Sequence, residues 1–485
     1  LAYCKIIIKD EVNVKIENLD LDTRKKLVAK FKYFDQKARY LPAYKLGRWD
    51  GCTSFFGLGG TTYMSMLPEV IEELIRQGYD PVLEDNRVSL PLSFDLVADD
   101  FWGDQTWPVG HRFAGEKIRL REDQVEVVNK FLANPQCIQE IATGFGKTIT
   151  TATLAKICEK YGRTVTIVPN KSLVEQTEED FINCGLDVGV YYGDRKNLDK
   201  THTICTWQSL NILDKRSKNT TDEELLTLAE LLEGVQTVMV DEVHMAKAEV
   251  LKKLLTNNLA NAPIRWGLTG TVPKEDIDFQ NIKCALGEVV HQVKAHTLQE
   301  AGVLSTCHVN VIQTAEWKEF GSYPEELKYL VTDTDRVNWI SKLVQGIAES
   351  GNTLVLVDRI ETGRIIVENI PDSVFISGEV KTKDRKTEYD EVKTADKKII
   401  VATYGVAAVG INIPRIFNLV MVESGKSFTR VIQSIGRGIR KADDKDFVQI
   451  WDITASTKYA KRHLTERKKF YKDAHYPFTI EKVKY

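Results

Sequence analysis

Two segments carry residue types suited to phosphoryl chemistry. In QEIATGFGKTIT (139–150) a glycine-containing loop ends in Gly146, Lys147 and Thr148 and joins an apolar segment to a helical pattern. Backbone N–H groups at such a helix start can cradle phosphate oxygens; the Lys147 ammonium can reach β- and γ-phosphates, and the Thr148 hydroxyl can ligate Mg2+. In VMVDEVH (238–244) an apolar strand pattern closes on Asp241 and Glu242. A carboxylate at a strand end, here Asp241, can hold Mg2+ through water, and Glu242 can orient and deprotonate an attacking water. Either segment alone is weak: Ile141 stands where the strict loop pattern has glycine, and Asp-Glu pairs are common on surfaces. In this order, with Glu242 95 residues after Lys147, they define a phosphoryl-transfer site.

Such residues need a scaffold that brings strand ends together. From about residue 117 short apolar runs, TVTIVP (164–169), TVMVDE (237–242), NTLVLVD (352–358), KIIVAT (398–403), FNLVMVE (417–423) and FVQIWD (447–452), alternate with helical patterns such as REDQVEVVNKFL (121–132). Parallel strands covered on both faces read this way, and the pattern occurs twice over. Gly- and Pro-containing stretches at 102–117 and 301–334 interrupt it and are expected to be linkers. They divide the chain into an N-terminal unit (1–105), a first α/β lobe (106–300) and a second lobe (301–485).

At 485 residues the chain exceeds one hydrophobic core. Hydrophobic residues at 43% and charged residues at 28% exclude extended disorder. A formal charge of −3 gives no global attraction to polyanions, so nucleic acid has to be held by a local patch. The tail from Ser456 is one candidate, with nine Lys or Arg against three Asp or Glu, including Arg467, Lys468 and Lys469; a solvated basic helix is the equal alternative. Eight single cysteines include no metal- or redox-type pair, and no apolar run is long enough to span a membrane, so a soluble intracellular protein is expected.

From about residue 118 to 452 the motifs and their order resemble the superfamily 2 helicases. LREDQ (120–124) resembles the family's adenine-reading segment, with Arg121 and Gln124 as contacts; Thr143, Gly144, Phe145, Gly146, Lys147 and Thr148 form the phosphate loop. IVPNKSLVEQ (167–176) and TWQSL (206–210) resemble first-lobe nucleic-acid segments, and GLTGT (267–271) the coupling motif. LVLVDRIETG (354–363), ISGEV (376–380) and TYGVAAVGINIP (403–414) resemble second-lobe segments that grip the backbone and sense nucleotide, and QSIGRGIRK (433–441) the closing motif.

The resemblance implies two RecA-like parallel-sheet lobes, an α/β architecture, with a small α+β N-terminal domain. It implies ATP and Mg2+ as cofactors, with Thr148 and Asp241 on the metal and Lys147, Asp241, Glu242, Arg437 and Arg440 in catalysis. Gly410 and Gln433 join the nucleotide contacts, and His244, Thr269 and Thr271 couple hydrolysis to movement. DNA contacts fall on Asn170, Lys171, Gln176, Thr206, Trp207, Arg359, Ser377, Gly378, Thr403 and Tyr404. Asn170, Lys171, Thr206, Arg359 and Thr403 each have a cap or turn role as the structural alternative, and for Trp207 packing against the lobe is the commoner role of such a residue. Asn412, where many members have Asp, is a departure.

Within that superfamily the segments look most like the phage branch-migration helicases of UvsW type, whose N-terminal turn GRWDG (47–51) resembles. This implies ATP-driven unwinding of branched, forked or single-strand/duplex-junction DNA without sequence preference, R-loop RNA as a further partner, and a monomer in the host cytoplasm. An XPB-type duplex translocase and an ATP-gated clamp are the alternatives. Arg48 is a DNA-contact candidate, whereas Trp49 is expected to fill the core of a small sheet. Residues 214–236 are expected to be a surface helix.

Overall fold

The computed structural model describes residues 2–111, 113–219, 226–245, 248–272, 276–378, 391, 394–410, 415–426, 436 and 442–485. They form two compact units, Leu1–Ile141 with Gly146–Gln292, and Ala142–Phe145 with Val293–Tyr485.

The first unit holds an eight-stranded sheet in the order Arg195–Lys196, Val188–Tyr192, His202–Thr206, Arg163–Val168, Val235–Asp241, Ile264–Thr269, Gln136–Ile141, Glu288–Val293. From Val188–Tyr192 to Gln136–Ile141 every pairing is parallel. The central strands are rich in Val, Ile and Thr and buried almost throughout, because helices cover both faces. In such a sheet ligands bind beyond the carboxyl ends of the strands. The phosphate loop, Asn170, Trp207, Glu242 and Gly270 each follow one of these ends.

A second, four-stranded sheet makes the N-terminal module: Thr61–Tyr63, Asn13–Glu17, Ala2–Ile8, Tyr79–Asp85. Strict alternation sends Cys4, Ile6 and Ile8, with Val14 and Ile16, inward against the helices Leu21–Lys30 and Leu67–Arg76. Asp20 starts the first helix by accepting from the Thr23 N–H at 2.8 Å. Ile277 and Cys284, from the first-lobe helix Asp276–Leu286, sit in this same apolar cluster.

The second unit holds seven parallel strands, in the order Val374–Ile376, Ile399–Thr403, Thr353–Val357, Asn418–Val422, Phe447–Ala455, Thr306–Thr314, Phe478–Val483. Its winding repeats the first lobe: the opening strand (Gln136–Ile141; Thr306–Thr314) lies beside a late one (Ile264–Thr269; Phe447–Ala455), followed by Val235–Asp241 or Asn418–Val422. Two tandem lobes of one RecA-like type and a small mixed module are therefore present.

Three expectations are corrected. Residues 301–334 are no linker: Thr306–Thr314 is an interior strand and Tyr323–Thr332 a helix. Residues 102–117 form a strap, closed by the Thr106–Lys117 bridge, in which buried Trp102 donates from Nε1 to Thr153 Oγ1 at 3.2 Å. Within 214–236, Leu228 and Leu231 belong to the first-lobe core rather than to a free surface helix. Among the described residues no helix is long and apolar enough to cross a membrane.

Candidate nucleotide and nucleic-acid sites

Gly144 and Gly146 both hold φ near +89° and turn the chain from the strand Gln136–Ile141 into the helix Lys147–Cys158. At Gly146 a Cβ would lie 2.7 Å from Gln124 Nε2 and 3.7 Å from Arg121 Nη1, so only glycine lets these side chains lie against the loop. Gln124 is buried, and its Oε1 accepts from the Arg121 N–H at 3.0 Å; the Arg121 guanidinium is held by Asp123 at 3.0–3.1 Å. The expected adenine readers are thereby fixed beside the phosphate loop. Thr143 and Phe145 are buried, so Phe145 offers the loop its backbone, not its ring.

Lys147 Nζ donates to Glu242 Oε1 at 2.9 Å in a pair whose side chains are only 10% and 15% exposed. Glu242 Oε2 accepts from the Gly270 N–H at 3.3 Å, and Asp241 Oδ1 from the Glu242 N–H at 2.8 Å. Burial, the largest single influence, would raise the Glu242 carboxyl, but the Lys147 charge and hydrogen bond, with the other contacts around it, together hold it down at about 2. Asp241 is pushed the other way, to about 6, by burial with the Glu242 charge beside it. A desolvated carboxylate with no ion pair among the described residues fits a metal ligand, and this is the observation by which the residues suit Mg2+. Thr148, the other metal candidate, lies beside Asp180, whose carboxyl is raised to about 6 by burial and the Glu179 charge, with Thr148 acting the other way.

His244 Nδ1 lies 2.6 Å from Thr269 Oγ1, and Thr269 Oγ1 lies 2.6 Å from the Thr271 carbonyl. The threonine proton is used on that carbonyl, so the imidazole carries its hydrogen on Nδ1 and donates it. Burial lowers the His244 pKa, which keeps the ring neutral at pH 7. The three residues expected to couple hydrolysis to movement thus form one hydrogen-bonded relay, from the strand Ile264–Thr269 to the end of Val235–Asp241.

Nucleic-acid candidates of the first lobe lie at adjacent strand ends, since Thr206 pairs with Val168. Asn170 caps the helix Lys171–Asn183 by accepting from Leu173 N at 3.1 Å, and leaves its Nδ2 buried without a partner. Trp207 packs against the lobe core, and its Nε1 is likewise buried and unpartnered. Thr206 accepts from Ser209 N at 3.2 Å and so caps the next helix. Lys171 is exposed, and Gln176 lies on the same helix. In the second unit Arg359 stands at the start of the helix Ile360–Asn369, Ser377 is buried, Gly378 is exposed, and Thr403 ends its strand. Tyr404, expected at the strand-gripping surface, is buried, and its hydroxyl donates to the Val422 carbonyl at 3.1 Å; its ring is not offered to a strand. Gly410 closes the helix Tyr404–Gly410. Asn412, Gln433, Arg437 and Arg440 lie outside the described residues.

Sequence reasoning also misplaced two groups. Trp49 is half-buried and closes its turn by donating from Nε1 to the Cys52 carbonyl at 2.9 Å, outside the module core. Arg467 in the basic tail is 2% exposed and pairs with both Asp452 oxygens at 2.8 and 3.0 Å. A run of cations on a 3.6-residue helix turns one of its members inward, which only a partner such as Asp452 could have signalled.

Comparison with known proteins agrees with this geometry. Residues 117–274 match the family model "Type III restriction enzyme, res subunit", and residues 335–442 match "Helicase conserved C-terminal domain". The chain carries the two domains of a superfamily 2 helicase, and its chemistry is ATP-dependent. It is similar to the protein "ATP-dependent DNA helicase uvsW" of Enterobacteria phage T4, 25% identical over 459 residues, which cover 89% of this chain and 87% of that one. It is also 25% identical, over 61% of its length and 65% of the other, to "Transcript termination protein A18" of Fowlpox virus (strain NVSL). Its fold is similar to that of a fragment of a putative HsdR subunit of a type I restriction enzyme from Vibrio vulnificus YJ016 (TM-score 0.57, 14% identity, 97% of this chain and 85% of that one).

Proposed function

We propose that this chain is a DNA motor that unwinds and branch-migrates forks and four-way junctions in recombination, repair and replication restart. The observation that carries the motor reading is the shared sheet: the Lys147–Glu242 site and two buried, unpartnered donors, Asn170 Nδ2 and Trp207 Nε1, lie at carboxyl ends of strands in one sheet. Such donors suit phosphate oxygens, which carry no sequence information. Similarity to a phage DNA helicase through 89% of the chain supports DNA as the track.

When bound, Mg-ATP supplies a γ-phosphoryl group whose developing charge needs cations in place beforehand. Lys147 would be the cation for the β- and γ-phosphate oxygens, and Thr148 and Asp241 would hold the metal. Glu242, ionised beside Lys147, would orient water and take its proton. His244 passes the change to Thr269. Arg437, Arg440, Gln433 and Gly410 complete the nucleotide contacts, while Lys171, Gln176, Arg359, Ser377, Gly378 and Thr403 contact the strand.

Branch recognition belongs to the N-terminal module. Between its paired strands Lys32–Phe34 and Cys52–Ser54 runs an arm that exposes Arg39, Lys45 and Arg48 beside Tyr40 (79% exposed) and Leu46 (64%). Lys45 and Arg48 have no ion pair among the described residues. Gly51, at φ +77°, packs so closely that a Cβ would meet Phe34 Cε2 at 2.6 Å, which holds the arm's base rigid. Unpaired cations with exposed rings suit backbone and bases at a junction. The protein works as a monomer inside the cell and also accepts R-loops.

The test is a synthetic four-way junction given ATP, Mg2+ and purified protein, with Glu242→Gln as control. Resolution of the junction by wild type is expected, with DNA stimulating ATP hydrolysis more than RNA does. Glu242→Gln should bind ATP, stay on DNA, and lose about 10²–10⁴ in turnover. DNA-stimulated hydrolysis that never resolves a junction would leave an ATP-gated clamp.

A further inference from the structure

The N-terminal module touches the first lobe at a defined place. Its turn Asp10–Asn13 is pre-formed: Asp10 Oδ1 accepts from the N–H groups of Val12 and Asn13 at 2.9 and 2.7 Å. From this turn Asn13 Nδ2 donates to the Thr256 carbonyl at 2.7 Å, and the Glu11 N–H to the Ala260 carbonyl at 3.0 Å. Thr256 lies within Leu254–Asn258, a single π-helical turn, whose wide winding is a rare form that recurs at functional sites.

The other side of that π-turn is held by Arg265. This arginine is fully buried on the strand Ile264–Thr269 and donates to the carbonyls of Leu255 and Leu259 at 2.5 Å and of Ala285 at 2.9 Å. Among the described residues it has no ion pair. The carboxylates whose charge acts on it are Asp10 and Glu11, from the module's turn. A buried guanidinium left without counter-charge is costly, so the module is part of what keeps this strand in place.

The strand Arg265 occupies ends in Thr269, four residues and about 13 Å away. Thr269 receives the His244 hydrogen bond, and the helix Ala248–Lys253 that leads into the π-turn follows His244 by four residues. Further contacts fall on the helix after GLTGT: Lys37 Nζ donates to Asp278 Oδ2 at 2.9 Å, and Ser65 Oγ lies 3.5 Å from Cys284 Sγ. Lys252 also stands over the Phe55 and Tyr63 rings at 4.5 and 4.7 Å. The module therefore grips the continuations of both members of the His244–Thr269 relay.

We propose that the turn Asp10–Asn13 couples the N-terminal module to ATP turnover, with Glu11 and Asn13 as positioning residues for the elements that carry His244 and Thr269. DNA held by the module then sets the rate of hydrolysis through a contact that persists through the cycle. This rests on the DNA-motor reading above and adds to it a route and its residues.

The test compares basal and DNA-stimulated ATP hydrolysis, KM for ATP, and thermal stability in wild type and Asn13→Ala. The variant should keep KM and basal turnover while the stimulation factor falls about fivefold or more, within the range of known couplings. Unchanged stimulation in a variant of lowered thermal stability would make the turn a structural clasp only. Wild-type hydrolysis indifferent to DNA would overturn both readings. A second variant, Ser65→Cys, does not depend on Asn13→Ala folding: oxidised to a disulfide with Cys284, it welds the module to the first lobe. Stimulation should survive this weld, with oxidised wild type as control; loss on oxidation and return with reductant would show that the module has to undock, and would refute the proposal.

Discussion

Three carboxylates around the phosphate loop are treated differently by their surroundings. Glu242 is ionised by Lys147 although it is buried, and its backbone sits at φ +49°, a conformation that costs a non-glycine residue about 1–3 kcal/mol. Strain of this kind at the residue proposed to handle the water suits a position kept for chemistry, not for stability. Asp241 and Asp180 are both pushed to about 6 by burial, with the Glu242 charge beside the one and the Glu179 charge beside the other. For Asp180 the folded value lies above the unfolded one of about 3.9, so its proton stabilises the fold below pH 4 and that contribution is lost as pH rises through 6. Asp180→Asn should therefore raise stability on the order of 1–2 kcal/mol at pH 8 and leave it unchanged at pH 4, the full shift being discounted because the side chain is not wholly enclosed. Denaturant midpoints at the two pH values measure this; an equal gain at both would place the effect outside Asp180 ionisation.

At the scale of elements, the clearest contrast is the C-terminal helix Lys458–Asp473. Its sequence is a row of cations, yet Arg467 faces inward, pairs with Asp452 and donates to the Gly425 carbonyl at 2.6 Å, while the Tyr471 hydroxyl donates to Asp452 at 2.7 Å. Removing one member of a buried pair leaves an uncompensated charge, so Arg467→Ala should cost about 3–5 kcal/mol in chemical denaturation. Lys468→Ala, at a half-buried position, and Lys469→Ala, at an exposed one, break no buried ion pair among the described residues and should stay within about 0.5 kcal/mol. Equal effects from all three would mean that the helix packs by another face. The same distinction explains what could be read from the chain. Strands such as Thr353–Val357, continuous apolar runs buried on both faces, were legible, as was the meeting of Lys147 and Glu242 at one end of a sheet. Thr306–Thr314 was not, because His308 and Asn310 interrupt its apolar residues and mimic a loop, although they lie in a sheet interior between two parallel neighbours. The cap role of Thr206 was one of two readings open in the sequence, and the core role of Tyr404 was hidden, since a polar side chain looks alike in sequence whether it meets backbone or ligand.

At the scale of the whole molecule the question is whether branch recognition can be removed without the motor. The sequence suggests so, because residues 1–105 precede every catalytic motif, and deleting them is expected to spare ATP hydrolysis. The structure argues against it: Ile277 and Cys284 complete the module's core, and Arg265 depends on the charge of its first turn. Deletion would expose apolar surface on the helix Asp276–Leu286 and leave a buried guanidinium unbalanced, so the truncated protein should lose cooperative unfolding together with ATP hydrolysis. The separable part is the arm. Its cations Arg39, Lys45 and Arg48 are exposed, and none is in the module's buried core. Replacing all three with Ala should keep thermal stability and hydrolysis on saturating single strands, weaken four-way-junction binding, and flatten its salt dependence by about 0.9 log units for each phosphate no longer neutralised. Junction affinity measured across a salt series decides it: an unaltered slope in the triple variant would remove the arm from the DNA interface, and a stable, hydrolysing truncation would show that the module is only a passenger on the first lobe.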